Sequence, residues 1–166
     1  MEQKDDRGHT VFTYSLRYGD RELVRYLIDQ GIDVTTEGKN NELPLSLSTR
    51  FNDISLVHDL IDKGADINKG DQSNDTALIG AIENGSDLSM VAFLIDNEAD
   101  VNKKGKYGDT ALAVAVNNNN IEVVKYLLEH DADVNEACDD GDFPIGIAML
   151  HGNFSMVQCL TREYQS

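Results

Sequence analysis

The run Thr110-Ala111-Leu112-Ala113-Val114-Ala115-Val116, the break Asn117-Asn118-Asn119-Asn120, and then Ile121-Glu122-Val123-Val124-Lys125-Tyr126-Leu127-Leu128, closed by Asp131-Ala132-Asp133-Val134-Asn135, decide the fold. The first run is short and apolar, and Thr110 sits where a hydroxyl accepts hydrogen bonds from the free N–H groups of a helix start. In the second run Ile121, Val124, Leu127 and Leu128 share one face at a period of about 3.6 residues, with Glu122 and Lys125 outside it. The pattern predicts a short helix, a tight break, a longer amphipathic helix and a turn.

Outward from there the pattern repeats. Asp131-Ala132-Asp133-Val134-Asn135 has copies at Glu98-Ala99-Asp100-Val101-Asn102 and Gly64-Ala65-Asp66-Ile67-Asn68, and a weaker one at Gly31-Ile32-Asp33-Val34-Thr35. These lie 33, 34 and 33 residues apart along the chain. Thr10-Val11-Phe12, Leu43-Pro44-Leu45, Thr76-Ala77-Leu78, Thr110-Ala111-Leu112 and Phe143-Pro144-Ile145 keep the same beat. Two landmarks locked in phase identify a true repeat rather than chance similarity. The 34-residue interval traces to Gly85-Ser86-Asp87-Leu88, which holds one extra residue between two helices. Pro44 and Pro144 suit a first helical position, where the missing N–H is harmless.

With these residues in view, the chain resembles the ankyrin-repeat family. The match is best around Gly108-x-Thr110-Ala111-Leu112, Val123-Val124-x-x-Leu127-Leu128 and the Ala-Asp-Val-Asn ending. The resemblance implies an all-α solenoid of stacked helix-turn-helix units with hairpin-like loops. It would form a single domain over residues 1–166, with units near 5–37, 38–70, 71–104, 105–137 and 138–166. The His usual in the family's corner motif is replaced by Thr13, Ser46, Ile79, Ala113 and Gly146, so lower stability than in consensus arrays is expected. The first unit is expected to act as a polar cap, its outer helix offering Tyr14, Arg17, Arg21 and Arg25. The last unit is expected to close the array, with no room for a further domain.

Composition narrows the function. Lys and Arg number 14 against 30 Asp and Glu, a formal net charge of −16. Such a field repels nucleic acid and anionic lipid. No apolar stretch approaches the length of a membrane span, and the start Met-Glu-Gln-Lys-Asp-Asp has no secretory character, so a cytoplasmic location is expected. Cys138 and Cys159 are too few for a disulfide framework. His9, His58, His130 and His151 fall in no metal-binding spacing, and no phosphate loop or catalytic constellation is visible, so neither cofactor nor enzymatic activity is expected. Acidic neighbours of Cys138, namely Glu136, Asp139 and Asp140, disfavour its thiolate.

A binding surface remains. Members of the family engage partners through loop tips and the exposed ends of the first helices, which together form a concave wall. Position by position, the resemblance then places Arg7 with His9, Lys39, Lys106 with Tyr107 and Asp109, and Asp139, Asp140 and Asp142 on successive tips. Helix ends add Arg17 with Tyr18, Arg50 with Phe51, Glu83 with Asn84, Asn117 with Asn118, and Leu150 with His151. The spacing leaves open whether Tyr18 and Phe51 face solvent or tuck against a neighbouring unit. Basic residues gather in the first two units, whereas residues 127–143 carry seven acidic residues and no Lys or Arg. The expectation is a non-catalytic module, monomeric when free. It would bind another protein, one with a basic patch, and would sequester, inhibit or scaffold it. An immunity-type inhibitor covering the active site of a basic toxin or nuclease, and a subunit of a larger assembly, are the alternatives.

Overall fold

In a computed structural model, residues 4–163 are described. They form five helix pairs: α1 (Val11–Tyr18) with α2 (Arg21–Asp29), α3 (Pro44–Ser48) with α4 (Ile54–Asp62), α5 (Ala77–Glu83) with α6 (Leu88–Asp96), α7 (Ala111–Asn117) with α8 (Ile121–Glu129), and α9 (Pro144–Leu150) with α10 (Phe154–Glu163). Among the described residues no strand forms, and a lone bridge joins Lys4 to Thr10. The fold is an all-α repeat solenoid.

Local chemistry starts each pair. Thr10, Thr76 and Thr110 accept hydrogen bonds from the backbone N–H groups of Thr13, Ile79 and Ala113. Pro44 and Pro144 open α3 and α9 instead, after Leu43 and Phe143, which supply no side-chain cap. Asp20, Asp53, Asn120 and Asn153 cap the second helices in the same way, accepting from Leu23, Leu56, Val123 and Met156. Thr13, in the place of the missing His, is fully buried, and its hydroxyl completes a reciprocal cap by accepting the Thr10 N–H at 3.1 Å.

Left-handed backbone recurs at three places in the repeat. It falls between the helices at Gly19, Asn52, Gly85, Asn119 and Gly152, after the second helix at Gly31, Gly64, Glu98 and Asp131, and at the loop tip at Gly8, Asn41, Asn74, Gly108 and Gly141, with Asn40 and Tyr107 added at two of the tips. Gly and Asn tolerate this conformation best, and they fill most of these positions.

First helices stack on first helices, α1 on α3, α3 on α5, α5 on α7 and α7 on α9, while the second helices pack outside them, α6 on α8 and α8 on α10. Each interface buries the faces read from the sequence: Val24, Leu56, Val57, Leu60, Met90, Val91, Leu94, Val124 and Leu127 are at or near zero exposure, in one continuous core from Phe12 to Leu160. Leu23 departs from that pattern and is half-exposed, because no described unit covers its side.

Asparagines cross-link the turns. Asn68 donates to the Glu98 carbonyl and accepts from the Asp100 N–H. One unit on, Asn102 donates to the Asp131 carbonyl and accepts from the Asp133 N–H. The weak first copy has Thr35 in this place, and its hydroxyl and N–H bond back to Asp33 without crossing to the next unit.

Leu127→Ala should open a cavity and cost about 2–5 kcal/mol in urea unfolding, with little loss of helix content under native conditions. Asn102→Ala should cost about 1–3 kcal/mol, since it leaves the Asp131 carbonyl and the Asp133 N–H without their partner.

Candidate functional site

The loop tips are narrow turns, each spanned by an equivalent backbone bond: Asp5 N–H to His9 C=O, Gly38 to Glu42, Asp71 to Asp75, Gly105 to Asp109 and Cys138 to Asp142, all between 2.8 and 3.1 Å. Successive tips are tied together. The Asp75 carboxylate accepts the Lys106 N–H at 2.8 Å, and the Tyr107 carbonyl accepts the Asp139 N–H at 2.8 Å. A Cβ at Gly105 would collide with the Asp75 carboxylate and with Ile79, so this close approach requires glycine. Tyr107 is held at φ 59°, a costly conformation for an aromatic residue, and its ring is 68% exposed with the Lys106 ammonium 4.6 Å from its centre.

Towards the first units the cations are largely engaged. Arg17 pairs with Glu42 of the next tip, which His9 also approaches at 3.6 Å. Arg21 donates to the Phe51 carbonyl at 2.8 Å with its guanidinium over the Phe51 ring, and Arg25 pairs with Asp53 at 2.8 Å. Two sequence expectations are thereby corrected. Tyr14 and Arg17 belong to α1, the inner helix, not the outer one. The three arginines reach toward the second unit rather than outward, so the outer face of the first unit is not a polar cap. Phe51 is half-buried under Arg21, whereas Tyr18 is 67% exposed and packs on Tyr14 with ring centres 4.3 Å apart. Lys39 and Arg50 are exposed.

Towards the last units the wall is a hollow of about 510 Å³. Its floor is Ala113, Val114 and Ile147, and its rim carries Glu83, Asp109, Asp140, Asp142, Leu150 and His151. Asp139 stands outside it, exposed on the same tip. Among the described residues no Lys or Arg lies within 4.0 Å of these carboxylates. Burial, followed by the charge of Asp75, pushes the Glu83 carboxyl above its ordinary range, and burial does the same to Asp75. Cys138 closes the bottom. Its thiol is pushed up to about 12, first by burial and then by a hydrogen bond to Asp109 of the preceding unit, with Asp140 and Asp142 adding to it. The acidic sequence neighbours named at the outset are therefore not the leading cause. Among the described residues no group of three His, Cys, Asp or Glu could hold a metal ion.

Of the residues expected on the wall, the structure brings Asp109, Asp140, Asp142 and His151 together around the hollow, and Arg17, Tyr18, Arg50 and Phe51 around a shallower groove of about 350 Å³. Lys39 stands on the second tip, and Lys106 with Tyr107 on the fourth. Glu83, expected at a first-helix end, is the last residue of α5 and lines the hollow, whereas sequence reasoning passed over Val114 and Ile147. The repeat position of Glu83 reads Arg17, Arg50, Glu83, Asn117 and Leu150, a reversal of charge along the inner row.

With helix pairs, caps, tip turns and the stacked inner row in place, the comparison with known families is direct: a model described as ankyrin repeats (3 copies) matches residues 1–71 and 45–138. The chain belongs to the ankyrin-repeat family. Ankyrin repeats are generally protein–protein interaction modules and typically non-catalytic. No curated protein matches the chain significantly. Among the described residues of this ankyrin-repeat chain, no helix is long and apolar enough to cross a membrane.

Alkylation of Cys138 at pH 8 should be about a thousandfold slower in the folded protein than in denaturant, the consequence of a thiol shifted from 9 to about 12. Because that shift favours the neutral thiol, its contribution to stability holds below pH 9 and is lost as pH rises towards 12. Alkylation followed by peptide mapping checks the rate, and urea titrations at several pH values check the sign.

Proposed function

We propose that this chain is a non-catalytic binding module that seats a basic segment of a partner protein on the last two units of its concave wall. The observation that carries the reading is the hollow over Val114 and Ile147, whose rim carboxylates Glu83, Asp109, Asp140 and Asp142 have no Lys or Arg within 4.0 Å among the described residues, Lys106 acting on Glu83 only at longer range. A partner's Lys or Arg stem would cover the apolar floor while its charged head met the rim. Exposed Tyr107, with Lys106 beside it, and exposed Tyr18 with Arg50 would extend the contact towards the first units. A wall of this extent suits the usual specific interface of about 1,200–2,000 Å².

Binding of this kind acts by steric coverage, so it sequesters, inhibits or scaffolds. The density of unpaired carboxylates favours one second reading. A chain that presents anionic groups in a preformed hollow matches the charge of an anionic substrate, and would inhibit a toxin or nuclease whose cleft is basic.

The test is affinity capture from the native host followed by reconstitution with the captured protein in pure form. An Asp109/Asp140/Asp142→Asn variant should weaken binding at least tenfold at low salt and flatten its salt dependence, with unfolding unchanged. Binding unaffected by this variant and lost on Tyr18→Ala would move the docking surface to the first units and overturn the reading.

A further inference from the structure

Among the described residues, nothing covers two apolar faces of the solenoid. At the first end Val11, Tyr14, Tyr18 and Tyr26 are 52%, 48%, 67% and 59% exposed. The counterparts of Val11 in later units, Pro44, Ala77, Ala111 and Pro144, are all buried against the preceding unit. At the other end Met149 is 66% exposed, whereas its counterparts Leu16, Thr49, Ile82 and Val116 are buried at 3% or less against the following unit. Phe154, 72% exposed, stands at the counterpart of Arg21, which reaches the following unit.

We propose that a second copy of this chain docks its first-end face on the last-unit face, in the register that the units use internally. Two contacts define that register. Asn118 of the fourth unit donates to the Ile82 carbonyl of the third at 3.0 Å, and Arg21 of the first donates to the Phe51 carbonyl of the second at 2.8 Å. Repeating both contacts across the two copies lays the incoming Tyr18, counterpart of Phe51 and Asn118, over Met149 and Phe154, counterparts of Ile82 and Arg21.

Charge selects the same pairing. Residues 4–31 balance five cations, Lys4, Arg7, Arg17, Arg21 and Arg25, against five carboxylates. Residues 138–161 hold Asp139, Asp140 and Asp142 and no Lys or Arg. Two last ends would repel each other, whereas a first end sets Arg7 against the Asp140–Asp142 tip. The contact is heterologous, so it continues into short open chains rather than closing as a dimer. The uncovered ends thus speak against a free monomer at high concentration. The two chains each carry −16, so their general repulsion opposes the contact and screening relieves it.

Sedimentation of the 18.4 kDa chain from about 10 μM to about 1 mM, a range that spans weak association, tests the proposal in 0.1 and 1 M NaCl. The average mass should at least double at the top of the range and rise further in 1 M salt. Tyr18→Ser/Tyr26→Ser and Met149→Ser/Phe154→Ser, each verified as folded by circular dichroism, should be monomeric alone and form a 1:1 heterodimer when mixed. A wild-type chain that stays monomeric throughout, or association that persists in either double variant alone, would overturn it.

Discussion

Every feature of this protein depends on one constraint: a single helix pair cannot hide its own apolar surface. The faces of α4, α6 and α8 bury Leu56, Val57, Leu60, Met90, Val91, Leu94, Val124 and Leu127 almost completely, packed on the first helix of their own unit and closed over by neighbouring units. Burial of side chains of this size contributes about 1.5–3 kcal/mol each, enough to set the ranking of interactions in the array. Contacts within and between units therefore form one continuous core, which backs the wall along its length.

Polar chemistry sets the register that burial alone leaves loose. Asn68 and Asn102 each grip a carbonyl and an amide of the next turn, Asp75 grips the Lys106 amide, and the Tyr107 carbonyl receives the Asp139 amide. Each such bond is worth only about 0.5–1.5 kcal/mol net, but breaking one leaves backbone groups unsatisfied. The result is a row of tips with fixed spacing, on which Tyr107 is held exposed in a left-handed conformation that its own preferences would not choose.

The repeats, helix starts and buried faces were legible because one cause generates them all. A position that meets the same neighbour in every unit carries the same kind of residue, so Thr76 and Thr110, or Leu60, Leu94 and Leu127, announce their environment by recurrence. Side-chain pairings were less legible. Arg17, Arg21 and Arg25 read as the charged surface of a cap, yet their length and flexibility carry them across to Glu42, the Phe51 carbonyl and Asp53. Phe51 and Tyr18 share a repeat position and differ in burial because Phe51 has a preceding unit to lie against and Tyr18 does not. The hollow was legible only in part. Its carboxylates were visible as a cluster, but its floor joins Val114 to Ile147 across two units, a contact defined by stacking geometry rather than by any local pattern.

Charge then divides the surface into regions that respond to solution conditions in opposite senses. At the hollow, the proposed attraction of a basic segment to the rim carboxylates would weaken in added salt, which screens it. At the two ends the exposed side chains are Tyr, Met and Phe on a chain of net charge −16, so salt removes a repulsion and leaves the apolar attraction in force. Raised carboxyls act in the same direction as salt at the hollow: Glu83, held up by burial, takes its proton before fully exposed carboxylates do as pH falls, and the rim loses charge there first. On the two proposals, lateral recognition would depend on local unpaired charge and end-to-end contact on apolar surface working against the charge of the whole chain, with Tyr18 common to both.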